Sequence, residues 1–467
     1  MAPRRSLSLV CLVAALHGLF FIWYQRPDWN VAWSDQDGYR RLGQVLAETG
    51  KFTRFPDAPR FVPEVIRTPA YPAAVAVLYR VFGTGQLPVA LAQTVLFVLI
   101  CLLVYAIARE LVSESLAIAA AAATALFPPI PYFGALVMTE VWTTALFTLS
   151  MWAAVRAYRR DLAAPFAWLG FLLGVTTLSR PVFILFPFAL AGIGLIVLPA
   201  LRVRPRPGVS RWGLMIAVFA VTMLPWFMYN YVTLGRLTLS PAGGIGRGLW
   251  EGSWQATWSG RLQNELTLLA DDIVDRAQLD RAVEGVAARE HLPAGPMLDY
   301  VHQWEDIRLI WTEPVDPYDR AMSRMKADQE YQRVALDNLR RDSLGHLTKR
   351  LARGVFILWA GEIPFRYTDI NQLPPALIRF CWAVQALVCL AALRGLVALV
   401  RAGHIAGACL LGAPLLYVTA VHFPLLTEAR QSLPAMPIVL LLATFGVTYF
   451  IKDTSRAALS GPPEPRA

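Results

Sequence analysis

The sequence of 467 residues has few charged side chains. Asp, Glu, Lys and Arg make up 16% of it, whereas soluble proteins average about 25%. Hydrophobic residues make up 56%. This balance excludes an ordinary soluble domain and indicates a polytopic membrane protein.

The residues that build disulfide frameworks and metal sites are also scarce. The five cysteines lie in apolar runs without a Cys-x-x-Cys pair, which argues against a disulfide framework or a zinc site. The six histidines show no metal-ligand spacing. Only His422, near Glu428 and Arg430 at the outer end of an apolar segment, is kept as a candidate site residue, and a purely structural role for it stays open.

A concentrated basic domain is missing as well. The net charge is +10, but many arginines lie in short loops between apolar segments, as the positive-inside rule describes. This distribution argues against a nucleic-acid partner and for contact with membrane lipids. The sequence has no evident internal repeat, and its Pro-rich end is predicted to be disordered.

Ten apolar segments are long enough to cross about 30 Å of hydrocarbon. An even number of crossings puts both termini on one side, and the arginine-rich short loops assign that side to the cytoplasm. The stretches 70–84 and 354–360 are too short to cross and suit interfacial or re-entrant positions; if only one of them crosses, the orientation changes. The predicted crossings are residues 7–24, 88–108, 116–133, 139–157, 164–179, 181–200, 213–232, 376–394, 404–423 and 432–451.

This reading divides the chain into four parts. They are an N-terminal transmembrane module (1–232) whose first outer loop is 25–87, an extracytoplasmic cap (233–375), C-terminal transmembrane helices (376–452) and a cytoplasmic tail (453–467).

Two of these parts carry helical patterns outside the crossings. In the first outer loop, apolar residues at helical spacing from Tyr39 predict an amphipathic helix lying on the membrane and ending at Gly50. In the cap, the patterns over 273–290 and 325–351 predict a mainly helical fold.

Four arginines lie on the outer side, where the positive-inside rule depletes them: Arg67, Arg180, Arg366 and Arg430. Arg180 is at a tight turn between two predicted crossings, so its charge is expected at the depth of the lipid headgroups and suits an anion. The alternative is that each arginine reaches to lipid phosphate or pairs with a loop carboxylate.

Carboxylates gather at the same face. Asp35 and Asp37 are in the first outer loop, and Glu140 opens the fourth predicted crossing. Asp35 could instead cap the surface helix, and Glu140 could simply benefit from its helix N-terminus. Nucleotide sugars are cytosolic, so a donor that reaches these residues would be carried on a lipid.

Several short motifs follow one another along the chain. They are Asp35 with Tyr39, Arg67-Thr-Pro-Ala-Tyr71-Pro, Met138-Thr-Glu140, the segment Gly174–Pro181, Pro225-Trp226 with Asn230, and the segment Arg430–Pro437. In this order they resemble the GT-C glycosyltransferases that use polyprenyl-phosphate sugars, the bacterial relatives of protein O-mannosyltransferases and lipid A aminoarabinose transferases. The resemblance spans nearly the whole chain. It implies an all-α polytopic fold with about ten transmembrane helices.

The resemblance also implies site roles. Asp35 corresponds to the catalytic carboxylate and Glu140 to a second acid. Asp37, which the resemblance does not cover, is predicted to be a supporting acid. Basic residues matching Arg67, Arg180 and Arg430 bind the donor phosphate, and Tyr39 and Tyr71 join them as substrate-binding candidates. A divalent cation is a candidate cofactor, with Asp35, Glu140 and His422 as candidate ligands. Tyr229 and Asp37 depart from the aminoarabinose branch, which leaves sugar and acceptor open.

The predicted function is an inverting transfer of a sugar from a polyprenyl-phosphate donor to a hydroxyl group of a glycan, lipid or protein, outside a bacterial inner membrane. Asp35 would act as the base. Alternatives are a secondary transporter or lipid flippase, a polysaccharide polymerase or ligase with a diphosphate-linked donor, and a non-catalytic assembly partner. A transporter would favour internal repeats and charges deep in the crossings, whereas the charges here cluster at one face.

Overall fold

A computed structural model describes residues 2–30, 34–204, 207–366 and 368–451. Every regular element within these ranges is a helix, so the predicted all-α fold is confirmed. The predicted tail lies outside the described residues.

The described residues of the first half of the chain form ten helices. Helix α9 is composite, because it begins as a 3-10 helix over Pro181–Leu185 and contains a π-helical turn over Ile193–Val197. The ten are α1 Ala2–Gln25, α2 Ser34–Thr49, α3 Ala70–Phe82, α4 Gln86–Arg109, α5 Glu114–Ala125, α6 Pro129–Gly134, α7 Thr139–Arg160, α8 Ala163–Ser179, α9 Pro181–Ala200 and α10 Val209–Leu234.

The described residues of the second half form nine more helices. Short 3-10 helices over Arg26–Asn30, Ile370–Gln372 and Ala429–Ala435 complete the set. The nine are α11 Ile245–Trp254, α12 Gly260–Asp272, α13 Arg276–Glu290, α14 Ala294–Thr312, α15 Pro317–Arg341, α16 Leu344–Ala360, α17 Pro375–Arg401, α18 Ile405–His422 and α19 Met436–Ile451.

Among the described residues, seven helical stretches are long and apolar enough to cross a membrane. The other three predicted crossings coincide with α5 plus α6, with α7 and with α8, so the total of ten stays a prediction. The seven are Arg5–Asn30, Gln86–Arg109, Pro181–Ala200, Val209–Leu234, Pro375–Arg401, Ile405–His422 and Ala429–Tyr449.

Two predicted segments are interrupted. The segment 116–133 breaks between α5 and α6, where Pro128 and Pro129 remove backbone donors and disfavour a helical residue before them. The pattern 325–351 divides between α15 and α16, because Ser343 accepts a hydrogen bond from the His346 amide and starts a new helix.

The amphipathic helix of the first outer loop is present as α2, and it ends before Gly50, whose φ is +70°. Its apolar face packs against α3, which buries Leu42 and Val45 completely. The predicted position of the helix on the membrane surface stays a prediction. With 13 residues, α3 is about 20 Å long and too short to cross.

Helices α11–α15 form a separate core, called the helical insert below. Trp250 is fully buried there and stacks on Tyr300, with 5.0 Å between ring centroids. The insert contacts the segment before the last helix, since the Gln255 amide group donates to the Thr427 carbonyl (2.7 Å) and accepts from its backbone N–H (3.0 Å). These bonds fix the segment that carries Arg430.

Candidate active site

Asp35 lies in the first turn of α2, between two arginines. Its Oδ1 is 3.7 Å from Nη2 of Arg67, and its Oδ2 is 3.2 Å from Nη2 of Arg430. The side chain is 49% exposed. The two guanidinium groups hold the carboxylate in place, and its exposure leaves it accessible to another molecule.

Glu140 lies in the first turn of α7 and is almost completely buried, with 1% exposure. Its Oε1 accepts hydrogen bonds from Arg180 (2.9 Å) and Arg430 (3.5 Å). Its Oε2 is buried and has no hydrogen-bond partner in the described part of the chain. Burying a carboxylate is tolerated here because two guanidinium groups and the helix N-terminus favour its charge.

Arg430 joins the two carboxylates. Its guanidinium contacts Asp35 through Nη2 and Glu140 through Nη1, and its Nε donates to Glu428 at 2.8 Å. Glu428 caps the following 3-10 helix with a reciprocal bond to Gln431, which fixes the backbone here. The result is one chain of charges in the order Arg67, Asp35, Arg430, Glu140, Arg180.

Two polar contacts align the elements that bring these residues together. The buried amide of Gln36 accepts the Val137 backbone N–H at 2.9 Å, which ties α2 to the turn before Glu140. The Trp142 indole donates to Ser179 at 3.0 Å, which ties α7 to the residue before Arg180. Gln36 is adjacent to Asp35, and Ser179 is adjacent to Arg180. Both contacts therefore help to hold charged residues of the site in place.

The two predicted tyrosines line the Arg67 end. The Tyr39 ring lies 4.9 Å from Cζ of Arg67 and packs edge-on against Tyr71 at 5.1 Å. Burial raises the pKa of Tyr39 to about 12, and Arg67 opposes this shift. Its phenol therefore stays protonated at neutral pH. The Tyr71 hydroxyl is buried without a hydrogen-bond partner among the described residues.

Asp37 is not part of this network. It pairs with Arg40 at 3.6 Å and is 47% exposed. Two residues along a helix turn the side chain by about 200°, so Asp37 points away from the side that Asp35 occupies. Arg366, the fourth arginine predicted on the outer side, pairs with Asp369 at 2.8 Å, and no contact with the network is found among the described residues.

The predicted metal ligands are not assembled. Across the described ranges, no three His, Cys, Asp or Glu side chains converge as a metal site would require. The His422 ring is buried and bonds to the Val418 carbonyl at 2.8 Å. The Arg430 guanidinium occupies the bridging position between Asp35 and Glu140 where a cation would bind, so these residues do not fit a divalent ion.

Three more carboxylates surround the network, and sequence reasoning assigned none of them a role. Glu64, with a fully buried side chain, bonds to Arg54 at 2.7 Å and lies 4.0 Å from Arg67. Glu428 holds Arg430 as described. Burial raises the pKa of Glu362 to about 8, with Arg430 opposing the shift. An acid two residues after the apolar stretch 354–360 was the available signal for Glu362, because Glu140 also lies at the end of an apolar segment.

Comparison with known proteins concerns the fold. Residues 66–229, about a third of the chain, match the family model of dolichyl-phosphate-mannose-protein mannosyltransferases. The archaeal oligosaccharyltransferase AglB from Archaeoglobus fulgidus, in complex with an inhibitory peptide and a dolichol-phosphate, superposes with a TM-score of 0.53 at 14% identity over 96% of this chain. The chain has a GT-C fold.

The GT-C chain spans about half the length of AglB, since the match covers 50% of that protein. An oligosaccharyltransferase from Archaeoglobus fulgidus, tethered to an acceptor peptide with the NVT sequon, gives a TM-score of 0.51 at 13% identity, covering 96% of this chain and 50% of that one. ArnT from Cupriavidus metallidurans, bound to undecaprenyl phosphate, gives 0.40 at 16% identity, covering 95% and 77%. No curated protein matches this sequence.

Proposed function

We propose that this GT-C protein transfers a sugar from a polyprenyl-phosphate donor to a hydroxyl acceptor on the outer face of a bacterial inner membrane. The observation that carries the proposal is the Arg430 guanidinium, which joins Asp35 and Glu140 between Arg67 and Arg180. One site therefore contains carboxylates, which can exchange protons, and guanidinium groups, which can bind an anion. The family-model match to lipid-phosphate-dependent mannosyltransferases supports the donor class.

The donor breaks at the bond between its anomeric carbon and the phosphate oxygen. The electron pair of that bond leaves with the phosphate, and the transition state resembles an oxocarbenium ion. Arg67, Arg180 and Arg430 stabilise the growing negative charge, because each guanidinium presents several fixed donors. The products are the glycosylated acceptor and polyprenyl phosphate.

The acceptor hydroxyl attacks from the opposite side of the anomeric carbon, which inverts its configuration. Asp35 accepts the hydroxyl proton late in the attack and later releases it to water. Its 49% exposure suits this role, since an incoming hydroxyl can reach it. Glu140 is too enclosed for this task and instead orients Arg180 and Arg430.

The experiment is a transfer assay with purified full-length protein and radiolabelled donors. A polyprenyl monophosphate sugar should lose its label to a hydroxyl acceptor, with polyprenyl phosphate as the second product. Mass spectrometry that compares envelope glycans, lipids and glycoproteins from cells with and without the gene identifies the sugar and the acceptor.

Two outcomes would overturn the proposal. Transfer from a diphosphate-linked donor alone would indicate a polymerase or ligase. Movement of an intact lipid-linked sugar across vesicles, without cleavage, would indicate a flippase.

A further inference from the structure

A cavity lies between the helical insert and the first outer loop. Its volume is about 460 Å³, which suits one or two sugar units. Ile66, the neighbour of Arg67, forms part of the wall. The Ala242 backbone N–H donates to the Val65 carbonyl at 2.8 Å, and the Ser240 hydroxyl donates to the Ile66 carbonyl. The cavity is therefore attached directly to the segment that positions Arg67.

Arg324 on α15 lines this cavity with its charge uncompensated. It forms no hydrogen bond or ion pair with any residue in the described ranges, and its Cζ stacks 4.1 Å from the centre of the Trp311 ring. Burial and the neighbouring Arg54, Arg67 and Arg247 lower its pKa to about 10, while Glu64 opposes the shift. A guanidinium in these surroundings has unused donors and gains from an anion.

The two carboxylates that line the cavity already have other partners. The Asp328 carboxylate is used by the backbone N–H groups of Gly246 and Arg247, both at 3.3 Å. The Asp271 carboxylate accepts from the Trp304 indole at 3.0 Å and lies 3.5 Å from Arg308.

Arg247 and Arg308 add donors to the same space. Arg247 is matched by Glu251 at 2.9 Å. The Nε of Arg308 is buried and has no hydrogen-bond partner in the described part of the chain. Cationic donors therefore exceed acidic acceptors in this cavity.

From these contacts we infer that the cavity is a binding site for an anionic saccharide, with Arg324 and Arg308 holding its carboxylate or phosphate group. The site is the place where an acidic sugar unit of the acceptor rests while its hydroxyl reaches Asp35, and in that respect it relies on the proposed function. Trp311 and Tyr331 form aromatic parts of the wall, and a less polar surrounding strengthens ionic hydrogen bonds.

The test is a binding measurement on the full-length protein in nanodiscs of neutral lipid, without donor. The probes are glucuronate, glucose 6-phosphate and glucose. Wild-type protein should bind at least one acidic sugar about tenfold more tightly than glucose, the size expected for one charge-assisted contact. Arg324→Met should abolish this preference, and Arg324→Lys should keep part of it.

The matched control is Arg281→Met, which removes the same charge from an exposed position on α13 outside the cavity. It should bind like wild type. If Arg324→Met is unstable by thermal unfolding, Arg324→Gln serves as the second variant.

Equal binding of glucose and both acidic sugars to wild type, or a preference that survives loss of Arg324, would overturn the inference. This binding measurement contains no sugar donor and does not depend on transfer. A failure of the separate transfer assay therefore counts against the proposed function and not against this binding site.

Discussion

Gly38 leaves the space that the Arg67 guanidinium fills. A Cβ added at this position would lie 2.1 Å from Nη2 of Arg67, whereas ordinary contacts begin at 3.4 Å. In Gly38→Ala the guanidinium must therefore move by more than about 1 Å. Arg67 is 7% exposed, so it cannot move without disturbing its neighbours, and its contact to Asp35 is already 3.7 Å long.

A misplacement of this size in a catalytic site costs roughly 100-fold in rate, or about 2.7 kcal/mol of transition-state stabilisation. The fold should survive. Alanine is favoured over glycine in a helix by about 1 kcal/mol, which offsets part of an overpacking cost of about 1–3 kcal/mol. The assay is initial-rate transfer from a polyprenyl-phosphate sugar, with thermal unfolding measured in parallel.

Two controls isolate the cause. Gly285→Ala, also inside a helix but with no atom within 4 Å of the new Cβ, should leave the rate unchanged. In an Arg67→Ala background, Gly38→Ala has no guanidinium to displace and should add no further loss. A Gly38→Ala protein with the wild-type rate, or the same loss in both backgrounds, would refute the reasoning.

Two further predictions concern Arg180 and Glu362. Arg180→Ala should raise the KM for the donor about tenfold or more while membrane insertion stays normal, because the bond of Arg180 to Glu140 lies at the proposed anion site. Arg180→Lys should recover part of the affinity for the donor. An unchanged KM in Arg180→Ala would count against phosphate binding by this residue. Glu362→Gln should be more stable than wild type above about pH 5, and its advantage should grow up to about pH 8 and then level off. The folded wild-type protein retains the proton up to about pH 8, whereas the unfolded chain loses it near its ordinary pKa of about 4.3. Unfolding midpoints between pH 5 and 9 test this, and a difference independent of pH would contradict it.

Much of the charged face could be predicted from sequence. The positive-inside rule distinguishes arginines predicted on the outer side from those predicted on the inner side, so Arg67, Arg180 and Arg430 stood out from the sequence alone. Their pairing did not, because Arg430 and Asp35 are 395 residues apart and no local pattern reports a contact at that separation. The exclusion of Asp37 was available in principle, since helical periodicity turns it away from Asp35.

Other features depend on packing that a single sequence does not encode locally. The helix of the first outer loop has an apolar face that suits either a bilayer or another helix, and only the structure shows α3 covering it. The cavity of Arg324 forms where α15 meets the first outer loop, so its charge imbalance cannot be seen from either segment alone.

Asp35 as the base is the central claim, and its most direct measurement compares Asp35→Asn with Asp37→Asn in single-turnover transfer. Both substitutions remove one carboxylate from α2, but only Asp35 joins the arginine network. General-base catalysis contributes about 10²- to 10⁴-fold. Asp35→Asn should therefore lose at least about 100-fold while Asp37→Asn stays within a few-fold of wild type. An Asp35→Asn protein that folds and transfers sugar at the wild-type rate would contradict the account.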